Sequence, residues 1–356
     1  MPPEVGSEFP WDPALLTGAG ADLLPAGHEL FATGCGALTA LLRRLRPRGR
    51  LHVPSYFCMG VAEALSADVP LAWYRHLPGE RGPRLDTLRA VSGDVVLAQN
   101  LFGRDGPEPW DAWRREHPGV VVVEDHSHDP FGDWARTSSA PYAVASLRKT
   151  LPLPDGGLLW SPRGLELPRP AGGESPGAAL KLAAMLLKGA WLAGRPVPKD
   201  TFRALQRQGE AALLGSAGPA GTVTRAVLPL LDVAGLRAAD IRAAEALAAA
   251  LPTETPRWRV LGAAPFRVQL VCPSEQARDA LLAHLARHGV YAPVHWRQDR
   301  GGLWSGDPVA ADLASRMLTL PVDHRCTPDD IARVADVVTR SSAVRPAAAG
   351  HLVRGR

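Results

Sequence analysis

The strongest constraint on this chain is a series of short, predominantly apolar segments separated by helical ones across its first half. Strands are predicted at 51–53, 70–74, 94–100 and 119–124, the last built on Val120-Val121-Val122-Val123. Helical stretches fall between them at 58–66, 84–90 and 109–116, and two more strands follow at 142–146 and 157–160. Segments without polar alternation leave neither face for water, so they belong to a parallel sheet covered by helices on both sides. Ligands of such sheets bind beyond the carboxyl ends of the strands. Asn100, Asp125 and Lys149 would all stand at that edge.

The fold class that follows is α/β, with a mostly parallel large domain and a smaller C-terminal α/β domain. A chain of 356 residues is long enough for both. Residues 1–27, with Pro10, Pro13 and Pro25, read as an arm, and Thr33-Gly34-Cys35-Gly36 opens a helix running to about Arg44. The large domain spans 28–233; its stretch 163–222 is rich in Pro, Gly and Ala, with one helix at 176–193. A linking helix at 234–251 opens the small domain, 234–343, which continues with strand 266–271, helix 274–288, strand 290–295 and helix 327–340. Thr327 is a good N-cap there and Pro328 a good first helical residue. The tail 344–356 reads as flexible.

The net charge of +4 comes from scattered arginines without a basic block, which argues against a nucleic-acid partner. Cys35, Cys58, Cys272 and Cys326 lie far apart, as in a reducing compartment. Nothing resembles a leader or a membrane span, so a soluble cytoplasmic protein is expected.

Lys149 is one of only four lysines among forty basic residues. An amine condenses with an aldehyde and a guanidinium does so poorly, which suits a lysine holding pyridoxal phosphate as a Schiff base. It could equally solvate a strand end. Asp125, just past the valine run, could keep a pyridine nitrogen protonated or cap a turn, and Glu124 competes for the role. His128 could bond the ring hydroxyl oxygen or orient Asp125. The glycines of Thr33-Gly34-Cys35-Gly36 suit a phosphate cradle or a plain turn. Tyr56 or Phe57 could stack on a flat ring or fill the core. His295, Trp296 and Arg297 suit substrate recognition or a surface strand end. A metal site on Asp125, His126, His128 and Asp129 is the rival; no second histidine grouping supports it, and no metal is expected.

Taken in order, these segments resemble the DegT/DnrJ/EryC1/StrS aminotransferase family of fold-type I pyridoxal-phosphate enzymes over roughly residues 28–340. Thr33-Gly34-Cys35-Gly36-Ala37-Leu38 resembles its Ser-Gly-Thr-x-Ala-Leu turn, and Val53-Pro54-Ser55-Tyr56 its Val-Pro-Ser-Tyr segment. Gln99-Asn100-Leu101-Phe102-Gly103 resembles Val-His-Leu-Tyr-Gly, and Glu124-Asp125-His126-Ser127-His128 resembles Glu-Asp-Ala-Ala-His/Gln. Ser146 to Lys149 with Asp155-Gly156-Gly157 resembles the Schiff-base lysine segment and its Gly-Gly turn. Val294-His295-Trp296 and Leu318 to Val322 resemble later family segments. Phe57 and Cys58 stand where a threonine and an aromatic are usual, Val144 where a serine is usual, and Asn100 is the sole asparagine.

The resemblance implies pyridoxal 5'-phosphate on Lys149, Asp125 at the ring nitrogen and His128 at the ring hydroxyl. Gly34, Cys35 and Ser146 would surround the phosphate, with Tyr56, Phe57 and Asn100 nearby. It implies amino transfer between a small amino donor and a keto acceptor. Elimination, dehydration or decarboxylation on the same scaffold, or cofactor binding without catalysis, are the alternatives. It also implies a two-fold homodimer in which each chain completes its neighbour's pocket, the arm and the 163–222 stretch being too poor in regular pattern to close a site alone. The apolar side of the linking helix (Ala234, Leu236, Ile241, Leu247, Leu251) offers packing surface.

Overall fold

The computed structural model describes residues 4–18, 23–298 and 303–341. It begins with a two-residue strand, β1 (Val5–Gly6). Seven strands then form one sheet: β2 (Glu29–Phe31), β3 (Leu51–Pro54), β4 (Leu71–Tyr74), β5 (Val95–Gln99), β6 (Val121–Asp125), β7 (Tyr142–Ser146) and β8 (Gly157–Trp160). Their spatial order is β2-β8-β7-β6-β5-β3-β4. The pairs from β4 through β7 are parallel, and β8 runs antiparallel to both of its neighbours. The carboxyl ends of β3 to β7 therefore share one edge.

Helices α1 (Gly34–Leu45), α2 (Met59–Ser66), α3 (Glu108–Glu116) and α4 (Asp133–Thr137) cover this sheet, with α5 (Pro176–Leu192), α6 (Lys199–Leu213) and α7 (Thr222–Val227) beyond them. Successive strand residues point to opposite cores, as a doubly covered sheet requires. Leu97 and Val123 pack with Leu38, Leu41 and Leu65, whereas Val96, Ala98 and Val122 pack with Trp110, Trp113 and Trp134. Each fully buried side chain of this size contributes about 1.5–3 kcal/mol.

α8 (Val233–Ala249) joins the two units. Its Val233 and Leu236 belong to a core of the first sheet, and its Ala243, Ala244 and Leu247 to the core of the second. That second sheet is antiparallel throughout, in the order β13-β11-β10-β9: β9 (Glu254–Thr255), β10 (Trp258–Ala264), β11 (Arg267–Val271) and β13 (Met317–Pro321). α9 (Glu275–Arg287) and α11 (Pro328–Thr339) cover it, α10 (Pro308–Arg316) precedes β13, and β12 (Val290–Tyr291) pairs with β1. Thr327 and Asp330 form a reciprocal capping box at the start of α11.

Several elements differ from the sequence reading. The stretch 163–222 holds α6 as well as α5, and α7 begins at its last residue; Phe202, Gln206, Gly209 and Leu213 give α6 its buried stripe, hidden by a polar composition. The expected helix at 84–90 is a three-residue turn, Leu85–Thr87. β10 escaped notice because Gly262, at φ +154°, sits at a bulge that breaks the pattern. The strand expected at 290–295 stops at Tyr291, two residues before Pro293. The apolar side of the linking helix faces inward: Leu236, Leu247 and Leu251 are core residues. The tail 344–356 lies outside the described residues. Among the described residues no helix is long and apolar enough to cross a membrane.

The arm is fastened to its own chain. Glu4 receives Lys199 at 2.6 Å and Lys188 at 3.1 Å, and Glu8 receives Lys181 at 2.7 Å. Lys188 also donates to the Ser7 hydroxyl and the Glu8 carbonyl, while Phe9 stacks on His324. The three lysines other than Lys149 all hold this segment. Burial opposes ionisation of Glu4, but Lys199 and Lys188 outweigh it and keep the carboxyl below its ordinary value. Its stabilisation is thus present above the ordinary glutamate pKa of about 4.3 and lost as pH falls below it. Glu4→Gln would leave Lys188 buried without its countercharge, at a cost of up to about 3 kcal/mol. The arm is expected to peel away instead, seen as faster proteolytic cleavage before β2 and a lower melting temperature.

Candidate active site

The parallel register sets the site. β6 ends at Asp125 opposite Val144 of β7, and β7 ends at Ser146, from which the turn Leu147–Lys149 departs. Ser127 ties the two ends together. Its N–H donates to Asp125 Oδ1 at 2.9 Å, and its hydroxyl accepts the Ser146 N–H at 3.0 Å.

Lys149 opens onto a cavity of about 480 Å³ between the two sheets and the arm. Its side chain is exposed to that cavity. No hydrogen bond or ion pair is made by its amine among the described residues, unlike the other lysines. Enclosure lowers its pKa; Asp125 opposes the shift and Arg267 adds to it.

His128 lies on the same cavity wall. The Phe102 N–H donates to its Nδ1 at 2.9 Å, which leaves the ring proton on Nε2. Burial first, then Arg267 and Lys149, push its pKa well below the usual histidine value, so the ring is neutral. Phe102 stacks on it at 5.3 Å and Trp296 at 5.4 Å. Phe102 has a left-handed backbone, φ 57°, which costs on the order of 1 kcal/mol and aims both its N–H and its ring at His128.

At the start of α1, the Thr33 hydroxyl accepts the Gly36 N–H at 2.9 Å. The Gly34 and Cys35 N–H groups precede the first intrahelical acceptor. Gly34 runs against Ser146, whose Cβ lies 3.2 Å from where a Gly34 Cβ would be. Gly157 leaves still less room, because a Cβ there would overlap the Thr33 carbonyl. Burial and then Cys58 raise the Cys35 thiol to about 11, so it stays neutral beside the turn. Asp155 accepts from the Gly221 N–H at 2.7 Å and from the Thr224 hydroxyl, fixing the Gly156-Gly157 turn.

Other residues singled out in the sequence stand elsewhere. Tyr56 and Phe57 are fully buried and line no part of this cavity; Tyr56 donates to the His295 carbonyl, and Phe57 belongs to the core under β3. The rings that line the cavity are instead those of Phe9, His128, Phe266, Tyr291, His295 and Trp296. Asn100 is buried behind Asp125, bonding that residue's carbonyl through its N–H and accepting from the Asp105 N–H. His295 and Trp296 line the cavity, with His295 Nδ1 3.0 Å from the Thr319 hydroxyl. Arg297 turns away toward Asp279, 3.6 Å distant. His126 also turns away, paired with Glu124 at 3.0 Å and packed on Trp134, so His126 and His128 do not converge. Among the described residues no group of three or more His, Cys, Asp or Glu could hold a metal. Arg267, Phe102 and Ser127 were missed as site residues. The one signal for Arg267 was a charge opening a strand whose other residues are uncharged.

The architecture is that of fold-type I pyridoxal-phosphate transferases. Solved structures of this fold match along most of the chain. An aminotransferase from Helicobacter pylori involved in the biosynthesis of pseudoaminic acid is 12% identical, covering 95% of this chain and 99% of that one, with a TM-score of 0.63. A DegT DnrJ EryC1 StrS aminotransferase from Brucella abortus is 17% identical over 88% and 85% of the two chains, at 0.61. The Streptococcus pneumoniae protein Spr1654 in its PLP form is 13% identical over 95% and 94%, at 0.59. At these identities the likeness establishes the fold. No protein-family model and no curated protein matches the sequence.

Gly157→Ala is expected to cost about 1–3 kcal/mol by overpacking. Because the clash is with the Thr33 carbonyl just ahead of α1, the loss should be read as a lower melting temperature.

Proposed function

We propose that this protein is a PLP-dependent aminotransferase, moving an amino group from an amino-acid donor to a keto group of a small metabolite or sugar. The observation that carries the reading is the partnerless Lys149 amine, standing with Asp125 and His128 at one sheet edge beside the start of α1. The residues present fit pyridoxal phosphate. Lys149 offers an amine whose lowered pKa favours the uncharged, nucleophilic form. Asp125 supplies a carboxylate for a protonated ring nitrogen, His128 a donor at Nε2 for the ring oxygen, and Gly34, Cys35 and Ser146 the donors for a phosphate. Tyr56, Phe57 and Asn100 support this site from behind, and His295 and Trp296 face the substrate side.

Bound there, the cofactor would supply an electron sink for a substrate carbanion. Lys149 would move the proton as general acid and base. Support also comes from the neighbours, whose names describe them as aminotransferases and one of which is known in a PLP form. A two-fold homodimer belongs to the same reading. Exposed Leu186 and Leu192 on α5 and Leu214 after α6 offer apolar surface to a second copy.

Protein incubated with pyridoxal phosphate and borohydride should carry a covalent label on Lys149, and Lys149→Ala should carry none. A label of equal yield on another lysine would overturn the assignment. With glutamate or other amino donors, the loaded protein should release the corresponding keto acid; bound cofactor with no release from any donor would point to elimination, decarboxylation or binding alone. Light scattering should give the mass of a dimer, and a fully active monomer would end that part of the proposal.

A further inference from the structure

The charged and hydroxyl groups that line the cavity are, apart from Lys149 and Arg267, already held by partners within the chain. Glu8 and Glu210 share Lys181 at 2.7 and 2.9 Å, and Glu210 takes both terminal nitrogens of Arg148 at 2.7 Å. Asp323 takes Arg325 through bonds of 2.8 and 2.6 Å. The hydroxyls are engaged too. Ser7 and Tyr291 accept from Lys188 and Lys199, and Thr319 stands 3.0 Å from the His295 ring nitrogen.

Much of the remaining wall is apolar. Leu153 follows the lysine turn, Met185 comes from α5, Leu282 from α9, Trp296 from the segment after β12 and Pro321 from the end of β13. The arm adds Phe9, whose ring centre lies 5.4 Å from that of His324 and 4.7 Å from the Arg325 guanidinium. The arm thus acts on the cavity twice, neutralising Lys181 through Glu8 and presenting the ring of Phe9 to the same space. Apolar surface gathered in a concave site favours a ligand that removes it from water. A hydroxylated ring placed there would exchange water for groups that already hold partners, and a hydroxyl buried without a hydrogen bond is costly. A diphosphate calls for several unpaired cations, whereas Arg148, Lys181 and Arg325 are neutralised.

We infer that the carbonyl compound served by Lys149 carries an apolar alkyl or aryl body, received by Phe9, Met185, Leu282 and Trp296, and is neither a sugar nor a nucleotide-linked sugar. The inference rests on the proposed function for the part Lys149 plays, and on the cavity wall for the class of substrate. In the exchange an amino acid and this carbonyl compound become a 2-oxo acid and the corresponding amine, with no net oxidant and no further reactant.

The test is titration calorimetry on the full chain, with and without pyridoxal phosphate, comparing 4-phenylbutan-2-ol, which cannot condense with an amine, against glucose and UDP-glucose. The aryl alcohol should bind at least about tenfold more tightly than either sugar. Leu282→Asp and Ala286→Asp each place a carboxylate on the α9 side of the wall and should weaken the aryl alcohol by about tenfold or more. Leu282→Met, which keeps the wall apolar, should retain binding. Ala286 is exposed, so its variant serves where Leu282→Asp does not fold. Lys149→Ala should lose the borohydride label and still bind the aryl alcohol, so failure of the cofactor reading and failure of this one are separable. Glucose or UDP-glucose binding as tightly as the aryl alcohol, no binding of the aryl alcohol to either form of the protein, or unchanged affinity in the aspartate variants would each overturn the inference.

Discussion

The site depends on the parallel pairing of β5, β6 and β7. Because these strands run in one direction and in register, with Gln99 opposite Asp125 and Asp125 opposite Val144, their carboxyl ends fall at one edge. Everything chemical follows within a few residues of those ends. Asp125 closes β6, Ser127 joins β6 to β7, and Lys149 leaves the end of β7 one short turn later. A register slip would carry alternate residues to the opposite face and undo the arrangement. The reversed strand β8 has a second role, since its first residue, Gly157, lets the start of α1 approach Ser146.

Around this edge the charges divide into two kinds. Those that hold the framework are paired: Glu4, Glu8 and Glu210 with lysines and Arg148, Asp129 with Arg237, Asp307 with Arg75. Of the charged residues that line the cavity, Glu8, Arg148, Lys181, Asp323 and Arg325 are paired as well, whereas Lys149 and Arg267 are left without partners. A buried cation such as Arg267 is costly to leave unpaired, so these two mark the functional region more sharply than the cavity's size does.

Much of the sheet was legible because β5 and β6 are apolar on both faces, and runs such as Val120 to Val123 admit few alternatives. α6 and β10 were illegible for opposite reasons: α6 buries only a narrow stripe under a charged surface, and β10 is broken by the bulge at Gly262. That Lys149, Asp125 and His128 stand near one sheet edge could be read from their order along the chain, because each lies next to a strand end. Arg267 could not, since its position depends on how the second sheet folds over the first. Tyr56 and Phe57 showed the reverse limit: aromatic residues at a strand end satisfied the pattern for a ring platform, and the core claimed them.

The arm lysines bear on chemical selectivity. Lys181, Lys188 and Lys199 are each held by acids of the arm, and the remaining basic side chains of the chain are arginines. Guanidinium groups condense poorly with aldehydes, and the three arm lysines are tied to carboxylates, with Lys181 and Lys188 also buried out of reach. An aldehyde arriving at this protein therefore finds one lysine amine presented for reaction, at Lys149. The arm thus makes the chain chemoselective by subtraction, removing competing nucleophiles as it ties itself down.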